Sequence, residues 1–224
     1  MTKFFVNIIE SPSDSDCYEG ISEGLLIKKA VELNAIDCYL RCTVSKKMFV
    51  HALSNELPQK IIQHIDKAPI LHISAHGFSG GIGFSNGEQI TWDEIKDLLS
   101  PYCAALHNSM LLCMSSCSGL SACQMAGNFD EKTNIFFAVI GHFGSPTWAD
   151  TAVAYATFYH LLSKGSRPDE AMNAMKIASG DSDFNLITSK QMQDIRMKML
   201  KEIIEKESQK PLTKTVGLPL ESLP

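Results

Sequence analysis

Two short apolar runs, each stopping at a reactive side chain, set the tightest limit on how this chain can fold. The first spans Pro69 to Gly77 and reads Pro-Ile-Leu-His-Ile-Ser-Ala-His-Gly. The second spans Met110 to Gly119 and reads Met-Leu-Leu-Cys-Met-Ser-Ser-Cys-Ser-Gly. Each reads as an apolar strand that stops at its reactive residue. Between them come Asn86-Gly87, a two-residue hairpin signal, and Thr91 with Glu94 three residues on, a capping box that opens a helix to about Leu106. These two strands are expected to lie parallel in one α/β sheet. Their carboxyl ends then lie on one edge, where open α/β sheets bind their ligands, and His76 is expected to meet Cys117.

That pair has a definite chemistry. A thiol attacks a carbonyl as its thiolate, and a histidine within hydrogen-bond reach takes the proton and later returns it to a leaving amine. Gly77 lets the backbone approach a substrate closely, and the N–H of Cys117 is expected at a helix start, where donors lack intrahelical partners. The N–H groups of Gly77 and Cys117 are therefore the candidate oxyanion hole, in which a single donor is worth ~100-fold or more in rate. Other residues compete for these roles. His72 shares a strand face with His76 but sits inside the run, which suits a buried, hydrogen-bonded ring. His142, after a later strand, is the reserve base. Cys113 lies within the second strand and Cys123 on the helix after it, so both read as core thiols. Ser115, Ser116 and Ser118 lack the Gly-x-Ser-x-Gly surroundings of a serine nucleophile. The group Cys103, His107, Cys113, Cys117 and Cys123 lacks the Cys-x2-Cys spacing of structural zinc, and no metal site is expected.

The run Ser115-Ser116-Cys117-Ser118-Gly119 at a strand end resembles the caspase-type Gln-Ala-Cys-x-Gly signature, with its histidine upstream. The wider order is similar to a CHAT domain of the caspase-like cysteine peptidases. It runs from His72-Ile-Ser-Ala-His76-Gly77 through Gly83 to Thr91, the Cys117 strand, Ala138-Val-Ile-Gly141, Trp148 and Asp150, Tyr155 to Gly165, and a last helix from Pro168 to Ala178. The resemblance implies a caspase-like three-layer α/β sandwich, with a mostly parallel central sheet and helices on both faces. It further implies a cysteine endopeptidase that cleaves a protein substrate through a His76–Cys117 dyad without a cofactor. The matching biological role is bacterial antiviral defence or programmed death, with a gasdermin-like protein as one such substrate. The pocket before the scissile bond departs from that of caspases. Ser115 stands at the glutamine's place, and the only arginines are Arg41, Arg167 and Arg196. Carboxylates at the same sheet edge, Asp14, Asp16 and Asp150, point instead to a pocket for lysine or arginine, with Ser115 and Trp148 as further substrate-binding candidates. Turn formation and helix capping are the competing roles of these three aspartates.

Elsewhere, Lys3 to Glu10 and Ile36 to Val44 read as strands around a helix over 19–33, with 11–16 as a turn-rich loop. A helical region over 46–66 is expected to break near Pro58, and Ile135 to Ile140 is a fifth parallel strand. A net charge of −5 with no lysine–arginine run gives no footprint for nucleic acid. The opening Met-Thr-Lys-Phe-Phe-Val-Asn-Ile-Ile-Glu is too short an apolar stretch for a signal peptide, and no segment reaches the ~18 apolar residues of a membrane span. A cytoplasmic location away from membranes is expected, and the seven cysteines then read as free thiols. Two parts are expected: a peptidase domain over 1–180, and over 181–224 an amphipathic helix at 189–206 with a loose tail. Control falls to the flexible glycine-rich segment 77–83 and to the helix, whose stripe of Met192, Ile195, Met199 and Ile203 offers a seat for an activating partner protein or a homodimer. The rival function is a catalytically silent module that docks through that helix.

Overall fold

The computed structural model describes residues 3–106, 109–126 and 136–208. At its centre lies β3 (Ala68–Phe78), between β1 (Phe4–Ser11) and β6 (Leu111–Ser115). Outside these lie β2 (Cys38–Cys42), beside β1, and β7 (Ala138–His142), beside β6, and all five strands are parallel. The far edge is β8 (Phe184–Thr188), antiparallel to β7. Beyond Ala75, β3 leaves the sheet and forms a small antiparallel extension with β4 (Gly81–Gly83) and β5 (Gln89–Thr91).

Period-two alternation along each strand divides the core into two layers. Ile9, Leu71, Ile73, Leu112, Met114 and Val139 face one side, where they pack with α3 (Lys46–His51), α4 (Leu57–Gln63) and α5 (Trp92–Leu106). Val6, Ile8, Ile70, Cys113 and Ile140 face the other, against α2 (Glu23–Leu33), α6 (Trp148–Ser163) and α7 (Pro168–Ser179). The architecture is therefore a three-layer α/β sandwich around a mostly parallel sheet.

Several local expectations change. Residues 11–16 are not all loop, because Ser13 and Asp16 form a capping box that starts α1 (Asp14–Glu19). Ser22 caps α2, whose buried stripe is Glu23, Gly24, Ile27 and Val31, while Leu25, Leu26 and Leu33 face outward. Pro58 does not break the helical region. It sits in the first turn of α4, where its missing N–H is not needed, and a π-helical turn over Ala52–Glu56 joins α3 to α4. The segment 77–83 is largely hairpin rather than open loop, and His76 lies within β3 rather than at its end. A 3-10 helix, Gly119–Ala126, follows the cysteine in place of an α-helix.

The expected boundary at 180 falls between α7 and β8, yet β8 belongs to the main sheet. After it α8 (Ser189–Ser208) returns over the 3-10 helix, and Arg196 Nη2 donates to the Gln124 carbonyl at 2.8 Å. The tail over 211–224, His107, Ile135 and the side chain of Cys103 lie outside the described residues. Among those described, no helix is long and apolar enough to cross a membrane.

Gly141 shows how tightly β7 meets the 3-10 helix: a Cβ there would lie 2.7 Å from Leu120 N and 2.9 Å from Gly119 C. Both are backbone atoms that cannot swing aside. Gly141→Ala is expected to destabilise the fold by about 1–3 kcal/mol, read as a lower urea midpoint with an unchanged denaturant slope.

Candidate active site

The last rung between β3 and β6 pairs Ser74 with Ser115. Past it the two chains diverge, β3 running out into its hairpin while β6 turns back sharply. Ser118 takes a left-handed conformation, φ 52°, which costs an L-residue about 1–2 kcal/mol. Two bonds hold the turn: the Ser118 N–H donates to the Gly144 carbonyl at 2.7 Å, and the Gly119 N–H to the Ser116 carbonyl at 3.0 Å. Gly77 presses against this turn. A Cβ at Gly77 would lie 2.1 Å from the Cys117 carbonyl oxygen and 2.9 Å from Ser116 Cβ, so only glycine fits.

His76 and Cys117 line one cavity of about 250 Å³, together with Ser116, Pro146, Trp148 and Thr151. Cys117 is half-buried and His76 exposed. The Trp148 indole packs on the His76 ring at 6.2 Å between centroids. No side-chain acceptor meets that ring among the described residues, and the Trp148 indole is its aromatic neighbour. The N–H of Cys117 has no backbone acceptor among the described residues, which leaves it available to a developing oxyanion. Ser116 Oγ is buried and has no hydrogen-bond partner there either.

Behind Trp148 and Thr151 lie two carboxylates that sequence reasoning passed over. Glu23, only 6% exposed, accepts hydrogen bonds from Ser74 Oγ at 2.5 Å and Ser115 Oγ at 2.6 Å. Burial pushes its pKa up to about 7 against the pull of these hydroxyls, and the charge of Glu10 adds to the rise. Glu10, 3% exposed, accepts from Ser22 Oγ at 2.5 Å and the Gly24 N–H at 2.8 Å. Glu10, Glu23, Asp16 and Trp148 border a common cleft. Neither glutamate pairs with a lysine or arginine among the described residues. A signal for them exists: Glu23 falls on the buried stripe with Ile27 and Val31, and Glu10 continues the apolar run of β1.

The other candidates separate clearly. The Asp16 carboxylate accepts from Ser13 Oγ at 2.6 Å and that of Asp150 from Thr147 Oγ1 at 2.6 Å, both within helix caps, and Asp14 is exposed. Ser115 is fully buried and turned to Glu23 rather than into the cavity, whereas Trp148 does line it. His72 is completely buried, with Nδ1 on the Tyr159 hydroxyl at 2.9 Å, and burial pushes its pKa down to about 3. Its Nε2 has no partner among the described residues, so the ring is only half satisfied. Burial pushes the Cys113 thiol up to about 12, which makes it a core residue rather than a nucleophile. His142 faces Asp181, not Cys117.

His142, Asp181 and Asp183 form the one group among the described residues that gathers three potential metal donors. The Gly144 N–H donates to His142 Nδ1, so Nε2 carries the ring proton and gives it to Asp181.

The mostly parallel sheet between two helical layers, with β8 antiparallel at its edge, has the caspase-like fold, and Cys117 and His76 line one cavity at its carboxyl edge. Among solved structures, a secreted C11 cysteine protease from Bacteroides thetaiotaomicron, determined with an irreversible peptide inhibitor, is similar to this chain at a TM-score of 0.55. The match covers 84% of this chain and 67% of that one at 11% sequence identity, a likeness of fold. No protein-family model and no curated protein matches the sequence.

Glu23 makes stability depend on pH. Its pKa is near 7 in the fold and 4.5 in an ordinary setting, so the unfolded chain ionises first. The associated cost is absent below about pH 4.5, grows up to about pH 7 and reaches roughly 3 kcal/mol above it. Glu23→Gln, which cannot ionise, is expected to gain on the native protein by about that amount between pH 4.5 and pH 8. Parallel urea midpoints for the two proteins over that range would show that Glu23 does not titrate there.

Proposed function

We propose that this chain is a cysteine peptidase in which Cys117 is the nucleophile and His76 the general base and acid. The observation that carries it is the shared cavity, into which both side chains open where Gly77 seats against the Cys117 turn. The likeness in fold to a cysteine protease supports the same class of reaction. His76 takes the Cys117 proton, and the sulfur attacks the peptide carbonyl carbon. The carbonyl electron pair moves onto oxygen, where the N–H groups of Cys117 and Gly77 receive the charge. Collapse expels the amine, which takes the proton from His76 and leaves a thioester. Water deprotonated by His76 attacks the thioester, releasing the acid and restoring the thiol.

The residue before the scissile bond is lysine or arginine. Two buried carboxylates without a cation of their own favour one brought by the substrate, since an uncompensated buried charge is costly. Glu23, one layer behind the cavity wall, takes the place of the aspartates in this reading, and the Ser116 hydroxyl and Trp148 complete the pocket. The finer assignment is a CHAT-type, cytoplasmic endopeptidase of bacterial antiviral defence acting on a gasdermin-like protein, and the sequence resemblance alone supports it. No metal, nucleic acid or membrane enters the mechanism.

With fluorogenic peptides, Cys117→Ala and His76→Ala are each expected to abolish cleavage without changing the circular dichroism spectrum, and Cys113→Ala to cost stability but keep turnover. Arginine substrates should be cleaved at least tenfold faster than aspartate ones, and Glu23→Gln should reduce that ratio. Undiminished cleavage by Cys117→Ala would overturn the assignment, and an inert native protein under all conditions would favour the silent docking module.

Control by association follows from α8, where Ile195, Met199, Leu200, Ile203 and Ile204 are exposed. Activity per molecule is expected to rise with protein concentration or with an added partner. A flat profile in a monomer by analytical ultracentrifugation would remove homodimerisation from the scheme.

A further inference from the structure

His142 is the ring at the sheet edge that the proposed mechanism leaves unused. It ends β7, 5% exposed, with both nitrogens engaged. The Gly144 N–H donates to Nδ1 at 2.8 Å, and Nε2 donates to Asp181 Oδ2 at 2.9 Å. Asp181 is itself fixed, because the Asp183 N–H donates to its other oxygen at 2.9 Å and its own N–H donates to Ser179 Oγ at 3.3 Å. Phe184 packs edge-on against the ring at 5.1 Å. On the other side, the Gly144 carbonyl accepts the N–H of Ser118, the residue that follows the nucleophile.

Phe143, Gly144 and Ser145 are all exposed. This stretch lies close to the ring: a Cβ on Gly144 would lie 3.2 Å from His142 Cε1. We propose that His142, oriented by Asp181, is a positioning residue that acts through Gly144 to hold Ser118 in its left-handed turn and so aim the thiol and N–H of Cys117. The cavity wall at Trp148 is set separately by the Thr147–Asp150 cap, so the effect falls on turnover more than on substrate binding. The kinetic consequence rests on the peptidase reading. The structural one does not.

Two variants separate positioning from general support. His142→Phe keeps a ring against Phe184 but loses both hydrogen bonds. His142→Asn places an amide oxygen near the former Nδ1 and keeps an acceptor for Gly144 while giving up Asp181. The Ser118 amide, followed by hydrogen exchange in NMR spectra, is expected to exchange at least tenfold faster in His142→Phe and only severalfold faster in His142→Asn, which keeps the acceptor but lacks the Asp181 bond. Turnover per site, counted with a peptidyl chloromethyl ketone, should fall at least tenfold in His142→Phe with KM within twofold, and largely return in His142→Asn. Unchanged Ser118 exchange in His142→Phe, or equal loss of turnover in both variants, would overturn the proposal. A native protein without turnover would fail the peptidase reading, with the exchange rates still deciding the positioning role. If His142→Phe does not fold, Asp181→Ala frees the ring to rotate. Ser118 exchange should then rise severalfold, and native exchange there would refute the relay.

Discussion

The approach of Gly77 to the carbonyl of Cys117 is the contact on which the site depends. Two backbones can come this close only where one has no Cβ. The approach lets a strand leaving the sheet and a turn folding back on it share one corner, so His76 and Cys117 open into one space. Every neighbouring feature serves that corner. The β3–β4 hairpin stiffens the outgoing strand, Ser118 accepts a strained backbone to make the turn, and Gly119 and Gly141 let the 3-10 helix lie close behind it.

The carboxylates below the corner work against stability. Glu10 and Glu23 are buried near each other, and the groups that solvate them are hydroxyls and one backbone N–H rather than a cation. A core built only for stability would place apolar groups there. Stability given up at a site is commonly exchanged for activity, and the hydroxyls of Ser22, Ser74 and Ser115 limit the sacrifice by solvating the carboxylates from within.

The sheet, its parallel strands and the meeting of the two cassettes were legible because burial on both faces leaves near-continuous apolar runs, and glycine after histidine marks a close approach. The pocket was harder to read. Asp14, Asp16 and Asp150 drew notice as acidic residues beside strand ends, yet Asp16 and Asp150 satisfy helix N-termini three residues from a Ser or Thr, a local interaction visible in the spacing itself. Glu23 escaped because its role is non-local: Ser74 and Ser115 come from two different strands, and nothing in the order of residues announces their convergence on one helix start. The His142–Gly144–Ser118 connection is hidden for the same reason. Pro58 misled in another way, since a proline in a first helical turn and one inside a helix look alike until the π-helical turn before it is seen.

The return of α8 over the 3-10 helix joins two distant parts of the chain. That helix begins two residues after Cys117, and Arg196 grips its Gln124 carbonyl. α8 and the turn at Cys117 therefore lie against the same short helix. The exposed side of α8 is thus one hydrogen bond and one short helix away from the turn that carries Cys117.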